Sequence, residues 1–543
     1  MNIVTTAEIR DLEVEARHQG LNEDDLINRA GLLIASYSSK RLESSESVVI
    51  LVGSGNNGSD GIVAALHLRR LGHEVLIYLC NARLSCDLYL KQARETGANI
   101  IDGVLDKERV KLTCYVKFST LVIDAVIGTG HSRPLSAETR SIFDVVRQQQ
   151  LINQRLWIIA IDVPSGLNAD TGAMDVGSLH ADVTITLGYP KRGLFLLPGA
   201  ELSNQLLLGK IGLERTALHM KTPTLLTSKW VQKHLPVRSR FATKRSYGRV
   251  LVVAGSREYP GAAYLASMGA ARTGAGFVTL ITSPDVQQVL ASKLVEITHL
   301  IPPENGKERF GSGTGPWIRQ QMKTYDALVI GCGLGRSTEA QTVVRETLLT
   351  AHSESKPTVI DADALNTLAL TPEWWKRIPK QVVLTPHSRE MSRLLGVSLQ
   401  HVEESRWEIA LEAARRWGVV ILLKGPFSVI ASPSGELRIT PFANPALATA
   451  GTGDVLAGVV GSLLARNLSP LDAASIGAAI HGVAGELLQE DFGDQGALAT
   501  DLLARLPVAI GALETAWPLK ELKEASFLHP LASQNKNPPM CVH

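Results

Sequence analysis

The sequence of 543 residues has few aromatic side chains and little excess of charge of either sign. Phe, Trp and Tyr make up 5% of the residues, and the formal net charge is +2 at pH 7. A low aromatic content disfavours stacking on bases, and a nearly neutral chain has no general electrostatic attraction for phosphate backbones or lipid headgroups. We therefore expect no nucleic-acid partner and no membrane partner.

Patterns typical of secreted and membrane proteins are also missing. The five cysteines contain no Cys-x-x-Cys pair, which predicts reduced and mostly buried thiols. No run reaches the roughly 18 unbroken apolar residues of a membrane helix. The N-terminal segment is charged and has no apolar stretch of the kind found in secretory signals. These features favour a cytoplasmic protein.

Predicted strands and helices alternate along the chain in two series. The first series has helices at about 6–18 and 22–38 and strands at 47–52, 73–80, 120–127, 156–162 and 181–187. The second has strands at 249–255, 277–282, 325–331, 357–361, 381–385 and 419–423, a hairpin at about 427–440, and helices at 453–466 and 470–488. Such alternation is typical of parallel sheets covered by helices, so we predict two α/β domains.

The stretch between the two series is basic, because it has no Asp or Glu from Arg215 to Arg257. A solvated linker is the favoured interpretation of such a run, and a phosphate-binding patch is the alternative. The C-terminal end has no strong pattern and is expected to be mobile. We place the first domain at 1–215, the linker at 216–245, the second domain at 246–512 and the tail at 513–543.

A glycine-rich turn follows the first predicted strand. Residues 52–61, VGSGNNGSDG, contain the Gly-x-Gly-x-x-Gly spacing of dinucleotide-binding turns, in the expected position between a strand and a helix. Such domains usually place an acid about 20 residues later to bind a ribose. Here the next strand ends at Asn81-Ala82-Arg83, and Arg83 leaves a contact to a 2′-phosphate open. The turn alone therefore does not decide between a dehydrogenase and another dinucleotide-binding protein.

A second glycine-rich turn, TAGTGD, opens an apolar helix in the second series. Gly451 and Gly453 permit a tight turn whose N–H groups form an anion hole for a phosphoryl group. Asp454 stands where a base would take a proton from an attacking hydroxyl, and helix capping is the alternative. The chain has no Gly-x₄-Gly-Lys-Ser/Thr motif, so we do not expect a P-loop enzyme.

These motifs resemble those of two enzyme domains that often occur fused. AGTGDVLAG is similar to the signature of ribokinase-like kinases, and VIGCGLG, VIDADALN, LTPHSREMSRLL and LLKGPFSVI resemble, in this order, NAD(P)H-hydrate dehydratases. GSGNNGSDG, VIDAVIGTG, AIDVPSGLNADTG and TLGYPKRG resemble NAD(P)H-hydrate epimerases. The resemblance covers about 1–510. It implies a bifunctional NAD(P)H-hydrate repair enzyme with an N-terminal Rossmann-like three-layer domain and a C-terminal ribokinase-like α/β domain.

The resemblance implies two linked reactions. The first domain would interconvert the R and S hydrates of NADH and NADPH at C6, and the second would phosphorylate the C6 hydroxyl of the S hydrate with ADP or ATP and eliminate phosphate. The dinucleotide would then be a substrate, which explains the missing ribose acid. The main alternative is a vitamin-alcohol kinase of the ribokinase type fused to a dinucleotide-binding module. A dinucleotide sensor without turnover and an oxidoreductase are weaker alternatives.

For the first domain, the resemblance implies contacts to the dinucleotide from two loops and one strand end, namely Asn56, Asn57, Gly58, Ser59, Asp60, Gly128, Thr129, Gly130, His131, Ser132, Arg133, Pro134 and Asp162. It also implies K⁺ ligands at Asn57, Asp124 and Ser165, which are oxygen donors as a hard cation requires. Asp162 and Asp124 are the candidates for proton transfer, and Asp162 ranks first because Asp124 is expected to hold the cation. Ser59 replaces a glycine of the family, and Lys191 is either a dinucleotide contact or a solvated lysine.

For the second domain, the resemblance implies Asp454 as the base and contacts to the hydrate from Ala262, Gly335, His387 and Asp454. The nucleotide contacts it implies are Lys424, Gly425, Pro426, Phe427, Ser428, Gly451, Thr452 and Gly453. Phosphoryl transfer also leads us to expect Mg²⁺. Arg389 and Ala446 replace glycines of the family, which we interpret as tuning. His481 is predicted to be a core histidine, and a homo-oligomer is expected.

Overall fold

The computed structural model describes residues 1–43, 46–83, 87–130, 134–213, 222–302, 310–349, 356–515 and 523–524. The chain divides into two compact units. One unit comprises Asn2–Lys221 and Leu522–His543, and the other comprises Met1 and Thr222–Glu521. Each unit contains one extended sheet with helices packed against it. The predicted α/β class of both domains is therefore confirmed.

The first unit is built on parallel strands in the order β7-β6-β5-β4-β1-β2-β3. Alternate residues of the apolar strands enter two separate cores, one on each face of the sheet, so both faces need a cover of helices. The strands are β1 (Ser47–Val52), β2 (Glu74–Leu79), β3 (Asn99–Asp102), β4 (Leu121–Ala125), β5 (Trp157–Ile161), β6 (Ala181–Leu187) and β7 (Ser203–Gly209).

Helices cover this sheet, and the first two begin with side-chain caps. Thr5 with Glu8 and Asn22 with Asp25 form capping boxes that bind otherwise unpaired N–H groups. The helices are α1 (Thr6–His18), α2 (Glu23–Ser39), α3 (Asn56–Arg70), α4 (Leu88–Glu95), α5 (Val110–Phe118) and α6 (Ala137–Ile152), with 3₁₀ turns at Arg192–Phe195 and Gly199–Leu202.

The second unit has a ten-stranded sheet in the order β11-β10-β9-β12-β13-β14-β15-β16-β17-β8. All neighbouring pairs are parallel except β15–β16 and β16–β17, and β16 with β17 is the predicted hairpin. The strands are β8 (Thr224–Leu225), β9 (Arg249–Val253), β10 (Phe277–Ile281), β11 (Thr298–Leu300), β12 (Ala327–Ile330), β13 (Thr358–Ile360), β14 (Val382–Leu384), β15 (Val420–Leu423), β16 (Val429–Ala431) and β17 (Leu437–Ile439).

Helices of the second unit pack on this sheet and on one another, with the apolar helix after the second glycine-rich turn in the centre of the core. They are α7 (Ser228–His234), α8 (Pro260–Arg272), α9 (Pro284–Leu290), α10 (Thr314–Met322), α11 (Thr338–Leu348), α12 (Ala362–Ala369), α13 (Ser388–Leu395), α14 (Leu399–Glu404), α15 (Arg406–Trp417), α16 (Thr452–Ala465), α17 (Pro470–Phe492) and α18 (Ala499–Glu514), with 3₁₀ turns at Lys244–Tyr247, Trp374–Lys376 and Pro445–Leu447. None of the helices in these described ranges has the length and apolar character of a membrane span.

The interpretation of 216–245 as a linker needs correction. Within it, β8 pairs with β17, and α7 packs on the core of the second unit. Leu226, Val231 and Leu235 are at most 5% exposed, so the basic residues between them lie on the exposed side of a folded element. The second unit therefore begins at Thr222, and 214–221 lie outside the described residues.

The predicted tail at 513–543 also differs in part. Helix α18 extends to Glu514, and a short strand, β18 (Lys523–Glu524), pairs in parallel with Leu207 and Leu208 of β7. The remaining tail residues, 516–522 and 525–543, lie outside the described part of the chain.

Candidate active sites

A cavity of about 460 Å³ lies in the first unit, beside the turns that follow β1, β4 and β5. Ligands of parallel α/β sheets bind at this edge because the loops after the strands diverge there. Seven of the residues expected to contact the dinucleotide line this one cavity, namely Asn56, Asn57, Asp60, Gly128, Thr129, Gly130 and Asp162. His131, Ser132 and Arg133 lie outside the described residues, and Pro134 is exposed.

The first glycine of the turn is required by a close approach of two backbones. A Cβ atom on Gly53 would lie 1.8 Å from the carbonyl oxygen of Val126, at the end of β4. A side chain there would push the turn after β1 away from β4. The glycine therefore holds the start of α3 against the loop that carries Gly128.

Ser59 and Arg83 fix the glycine-rich turn through hydrogen bonds. The Arg83 guanidinium donates to Ser59 Oγ over 2.8 Å and to the carbonyl oxygen of Gly53, and it forms an ion pair with Asp87 at 2.6 Å. Its side chain is 4% exposed. Ser59 thus faces Arg83, and Gly58, whose missing Cβ would also meet Arg83, packs behind the turn. The open possibility of a 2′-phosphate contact from Arg83 does not fit this arrangement.

Two of the three expected K⁺ ligands, Asp124 and Ser165, are hydrogen-bonded to each other at the end of β4. Ser165 donates its hydroxyl to Asp124 Oδ1 over 2.6 Å and its N–H to Oδ2 over 2.8 Å. Asp124 is 1% exposed, and burial raises the pKa of its carboxyl. Asn57 is buried beside Gly128, and its Nδ2 has no hydrogen-bond partner among the described residues.

Asp162 is held by a buried lysine at the end of β5. Its backbone has φ +66°, and its Oδ1 accepts the N–H of Leu187 over 3.0 Å and the ammonium of Lys191. Lys191 also donates to the carbonyl oxygen of Leu187 over 2.7 Å and is 1% exposed. The alternative of a solvated lysine at this position is wrong, because Lys191 lies in the wall of the cavity.

Residues of α1 complete the cavity and were not predicted. Glu13 and Arg17 line it, and burial raises the pKa of the Glu13 carboxyl. These residues precede the recognisable motifs by about 40 positions, and their spacing is that of any amphipathic helix. Only the packing of α1 brings them to the site.

The second site forms around the start of α16. Gly451 has φ +92°, a backbone conformation that glycine adopts without strain, and it turns the chain into the helix that carries Asp454. Asp454, Asp361 and Cys332 present their ligand atoms within 4.8 Å of one another. Burial, with the nearby charge of Asp361, raises the pKa of Asp454 to about 7.

The expected nucleotide residues meet at the same place. Lys424 Nζ binds Asp361 Oδ1 over 2.8 Å and lies 3.2 Å from the position that a Cβ on Gly453 would take. The Arg406 guanidinium fixes the start of this loop by donating to the carbonyl oxygen of Lys424 over 3.1 Å. The loop Lys424–Ser428 and the turn Gly451–Gly453 therefore adjoin through Lys424.

His387 caps α13 and is neutral. Its Nδ1 accepts the N–H groups of Arg389 and Glu390 over 3.1 and 3.3 Å, while its Nε2 lies 3.4 Å from Glu390 Oε1. Burial, with the charge of Lys424, lowers the pKa of His387 to about 4. Since Nδ1 accepts, the proton of the neutral ring is on Nε2, which faces Glu390 Oε1. Glu390, whose pKa burial raises to about 7, was not predicted.

The remaining expected residues of the second site surround it. Gly335 donates its N–H to Asp363 Oδ2 over 2.9 Å, and Ala262 lies on α8 beside the loop of Gly333. Arg389 is exposed, and its charge contributes to the lowered pKa of His387. His481 is buried and its Nε2 contacts the carbonyl oxygen of Thr452 over 2.9 Å, as expected of a core histidine that supports the turn.

Comparison with known proteins covers nearly the whole chain. The bifunctional NAD(P)H-hydrate repair enzyme of Moorella thermoacetica is 34% identical over 528 residues, which are 95% of this chain and 97% of that protein. The chain belongs to the family of bifunctional NAD(P)H-hydrate repair enzymes. The repair enzyme of Escherichia coli is 31% identical over 489 residues, with 90% and 89% of the two chains covered.

Two family models match separate parts of the chain. Residues 23–193 match the model described as YjeF-related protein N-terminus, and residues 250–508 match the model described as NAD(P)H-hydrate dehydratase. The ADP/ATP-dependent NAD(P)H-hydrate dehydratase of Bacillus subtilis, crystallised with ATP and Mg²⁺, is 34% identical and covers 54% of this chain and 100% of its own, with a TM-score of 0.46. The alternative of a vitamin-alcohol kinase is not favoured, because the relatives match both units.

Proposed function

We propose that this repair enzyme interconverts the R and S hydrates of NADH and NADPH at C6 and then dehydrates the S hydrate with a nucleoside phosphate. The observation that carries the proposal is the presence of two assembled sites on one chain. One is the cavity that contains Asn57, Asp60 and Asp162, and the other is the turn that presents Asp454 beside Lys424. Epimerisation in the first makes both hydrates available to the second.

The epimerase step depends on groups that move protons at C6. The Asp162 carboxylate lines the cavity, and Lys191 and the N–H of Leu187 fix its orientation. A positioned carboxylate of this kind takes up or returns a proton on the substrate hydroxyl. The start of α3 lines the same cavity at Asn56 and Asn57 and has no side-chain cap, and uncapped N–H groups at a helix start suit a pyrophosphate.

The residues Asn57, Asp124 and Ser165 fit a potassium ion. Asp124 is a buried carboxylate whose described hydrogen bonds come from Ser165 and Val126, with no cationic side chain among them. An amide oxygen, a carboxylate and a hydroxyl are the donor types that a hard cation binds. The ion would supply a fixed positive charge beside the dinucleotide.

The dehydratase step begins with Asp454, which takes the proton of the C6 hydroxyl as that oxygen attacks the terminal phosphorus of ADP or ATP. The bond from that phosphorus to its bridging oxygen breaks, and AMP or ADP leaves with the bonding electrons. The N–H groups of the Gly451–Gly453 turn and the ammonium of Lys424 stabilise the charge on the phosphoryl oxygens. The C6–O bond of the resulting phosphate ester then breaks, phosphate leaves with the bonding electrons, and a proton leaves the neighbouring ring carbon. The reduced nicotinamide ring is restored.

Oxygen donors for Mg²⁺ are present in this site. Asp361 and Asp454 are carboxylates within reach of one another, whereas the Cys332 thiol does not suit a hard cation. Mg²⁺ would neutralise the phosphate charges during transfer.

We propose ADP as the preferred phosphoryl donor, because a fused two-domain chain of this kind resembles bacterial enzymes that prefer ADP. We also propose that the protein assembles as a homo-oligomer.

The experiment that tests this function follows absorbance at 340 nm while the protein acts on a mixture of both hydrates of NADH with Mg²⁺, K⁺ and either ADP or ATP. Full recovery of NADH is expected, with ADP preferred over ATP. Asp162→Asn should stop recovery at the share of the S hydrate, because dehydration continues without epimerisation. No recovery by the wild-type protein, or full recovery by Asp162→Asn, would contradict the corresponding part of the proposal.

A further inference from the structure

The wall of the first cavity holds two carboxyl groups in different environments. Asp162 is paired with the Lys191 ammonium and accepts the N–H of Leu187. Asp60, on the second turn of α3, lines the same cavity and is 7% exposed, yet no side chain or backbone group of the described residues bonds to its carboxyl. A buried carboxylate without a partner is costly, so Asp60 is stable there as the neutral acid.

Charge around Asp60 acts in the same direction. Burial, with the charges of Asp162 and Glu13, raises the pKa of Asp60 well above its ordinary value, although Lys191 opposes this. The other ionisable groups that line this cavity are Arg10, Glu13, Arg17, Glu23, Asp162 and Lys191, and Tyr89 interacts electrostatically with Asp60. One carboxyl group without a bonding partner beside another that is paired with an ammonium is an arrangement that suits an acid and a base in one site.

Inversion at C6 needs both a proton donor and a proton acceptor. C6 carries the hydroxyl and is bonded to the ring nitrogen, so the hydroxyl leaves only when its oxygen receives a proton. Water then adds to the opposite face of the ring and must lose a proton. One carboxyl group in one protonation state cannot begin both halves of this exchange.

We propose that Asp60 is the catalytic acid of the epimerase, acting with the Lys191-bound Asp162 as the base. Asp60 gives its proton to the C6 oxygen, the C6–O bond breaks, water leaves, and the electron pair of the ring nitrogen forms the C6=N bond. A water molecule adds to the other face as that bond reverts to a lone pair, and Asp162 takes its extra proton. Reaction in the other direction returns both groups to their starting states. The inference rests on the proposed epimerase function and assigns the acid within it.

The test uses the full-length protein and the pure R hydrate of NADH with K⁺ and no nucleotide, so that dehydration is silent. Formation of the S hydrate is measured by chromatography after subtraction of the spontaneous rate. Asp60→Asn, which keeps the shape of the neutral acid, should lower kcat by about 10² to 10⁴ and change KM little. Asp60→Glu should restore part of kcat. Glu95→Gln, an exposed site on α4, is the matched control and should behave as the wild-type protein.

Isotope labelling tests the bond that breaks. In water enriched in ¹⁸O, the S hydrate formed by the wild-type protein should carry ¹⁸O at C6. Product that retains the original oxygen, an unchanged kcat in Asp60→Asn, or a loss confined to KM would overturn the proposal. If Asp60→Asn proves to unfold at a lower temperature, the wild-type pH profile decides instead: kcat should fall as Asp60 loses its proton at high pH, and a rate that rises to a plateau would overturn the role.

The outcomes separate this inference from the proposed function. A wild-type protein that forms no S hydrate would refute the epimerase function itself. A wild-type protein that epimerises normally, together with an equally active Asp60→Asn, would refute only the role of Asp60.

Discussion

At the residue scale, the dehydratase site depends on three carboxyl groups that surround one lysine. Asp361 binds the Lys424 ammonium directly, whereas burial and neighbouring negative charge raise the pKa values of Asp454 and Glu390 to about 7. An Asp454 with an ordinary pKa would be ionised at every physiological pH. With a pKa of about 7 it changes its protonation state in the working range, as suits a general base.

This shift predicts the pH dependence of dehydration. Only the ionised Asp454 accepts a proton, so kcat/KM for the S hydrate should fall below pH 7 and reach a plateau above it. Asp454→Asn should lower kcat by about 10² to 10⁴ and leave epimerisation unchanged. The pH dependence and the loss of kcat in Asp454→Asn are measured by NADH recovery from the pure S hydrate. Glu490→Gln, on the exposed side of α17, is the control. A rate independent of pH between 5 and 8 would contradict the assignment.

Ser59 provides a second prediction at this scale. Its hydroxyl accepts a hydrogen bond from the buried Arg83 guanidinium and does not line the cavity. Ser59→Ala should therefore lower the free energy of unfolding of the first unit by about 1.5–3 kcal/mol. Ser59→Gly should cost about 1 kcal/mol more, because glycine weakens a helix. Denaturant unfolding measures both effects, and epimerase KM should change little. A large rise in KM without a change in stability would show that Ser59 contacts the substrate.

At the scale of elements, the basic stretch after Thr222 is part of the second unit. β8 extends the sheet beside β17, and α7 buries Val231 in the core. The surrounding lysines and arginines make this stretch basic, so its charge alone indicated a linker and not a folded element. Three buried apolar residues in ten positions, Leu226, Val231 and Leu235, are enough to anchor a short element when the sheet edge offers a partner strand.

Leu226 tests this element. It is 2% exposed, so Leu226→Ala should lower the free energy of unfolding of the second unit by about 2–5 kcal/mol through lost contacts and the cavity left behind. Val237→Ala is the matched control, since Val237 is 85% exposed and its loss should cost no more than about 0.5 kcal/mol. Denaturant unfolding of the two variants, monitored through the loss of dehydratase activity, measures the difference. Equal stabilities of the two variants would support the linker interpretation again.

At the scale of the whole molecule, the chain carries two units with separate cores, and each proposed site lies within one of them. Ligands should therefore stabilise the unit that binds them. ADP with Mg²⁺ at 100 times its Kd should add about 2.7 kcal/mol to the second unit. Calorimetry should show one unfolding transition that moves with nucleotide and one that does not. An equal shift of both transitions would contradict this expectation.

Much of this protein follows from local sequence. Apolar runs predicted the strands that form the centre of both sheets, because a strand buried on both faces must be apolar throughout. The glycine-rich turns and the acids Asp162 and Asp454 were also found, since each motif places its residues at a strand end or a helix start. Apolar runs did not predict β3 and β11, which are short and little buried, or β7, which begins with polar residues.

Contacts between distant parts of the chain were decided only by the tertiary structure. The burial of Lys191 against Asp162, the clamp of Arg83 on Ser59 and the approach of α1 to the cavity join residues that no local pattern relates. The unpaired state of Asp60 is a property of everything packed around it. Sequence by itself determined which residues stand at the ends of strands. Strand order and helix packing determined which of them meet, because those set the distances and the burial on which charge and chemistry depend.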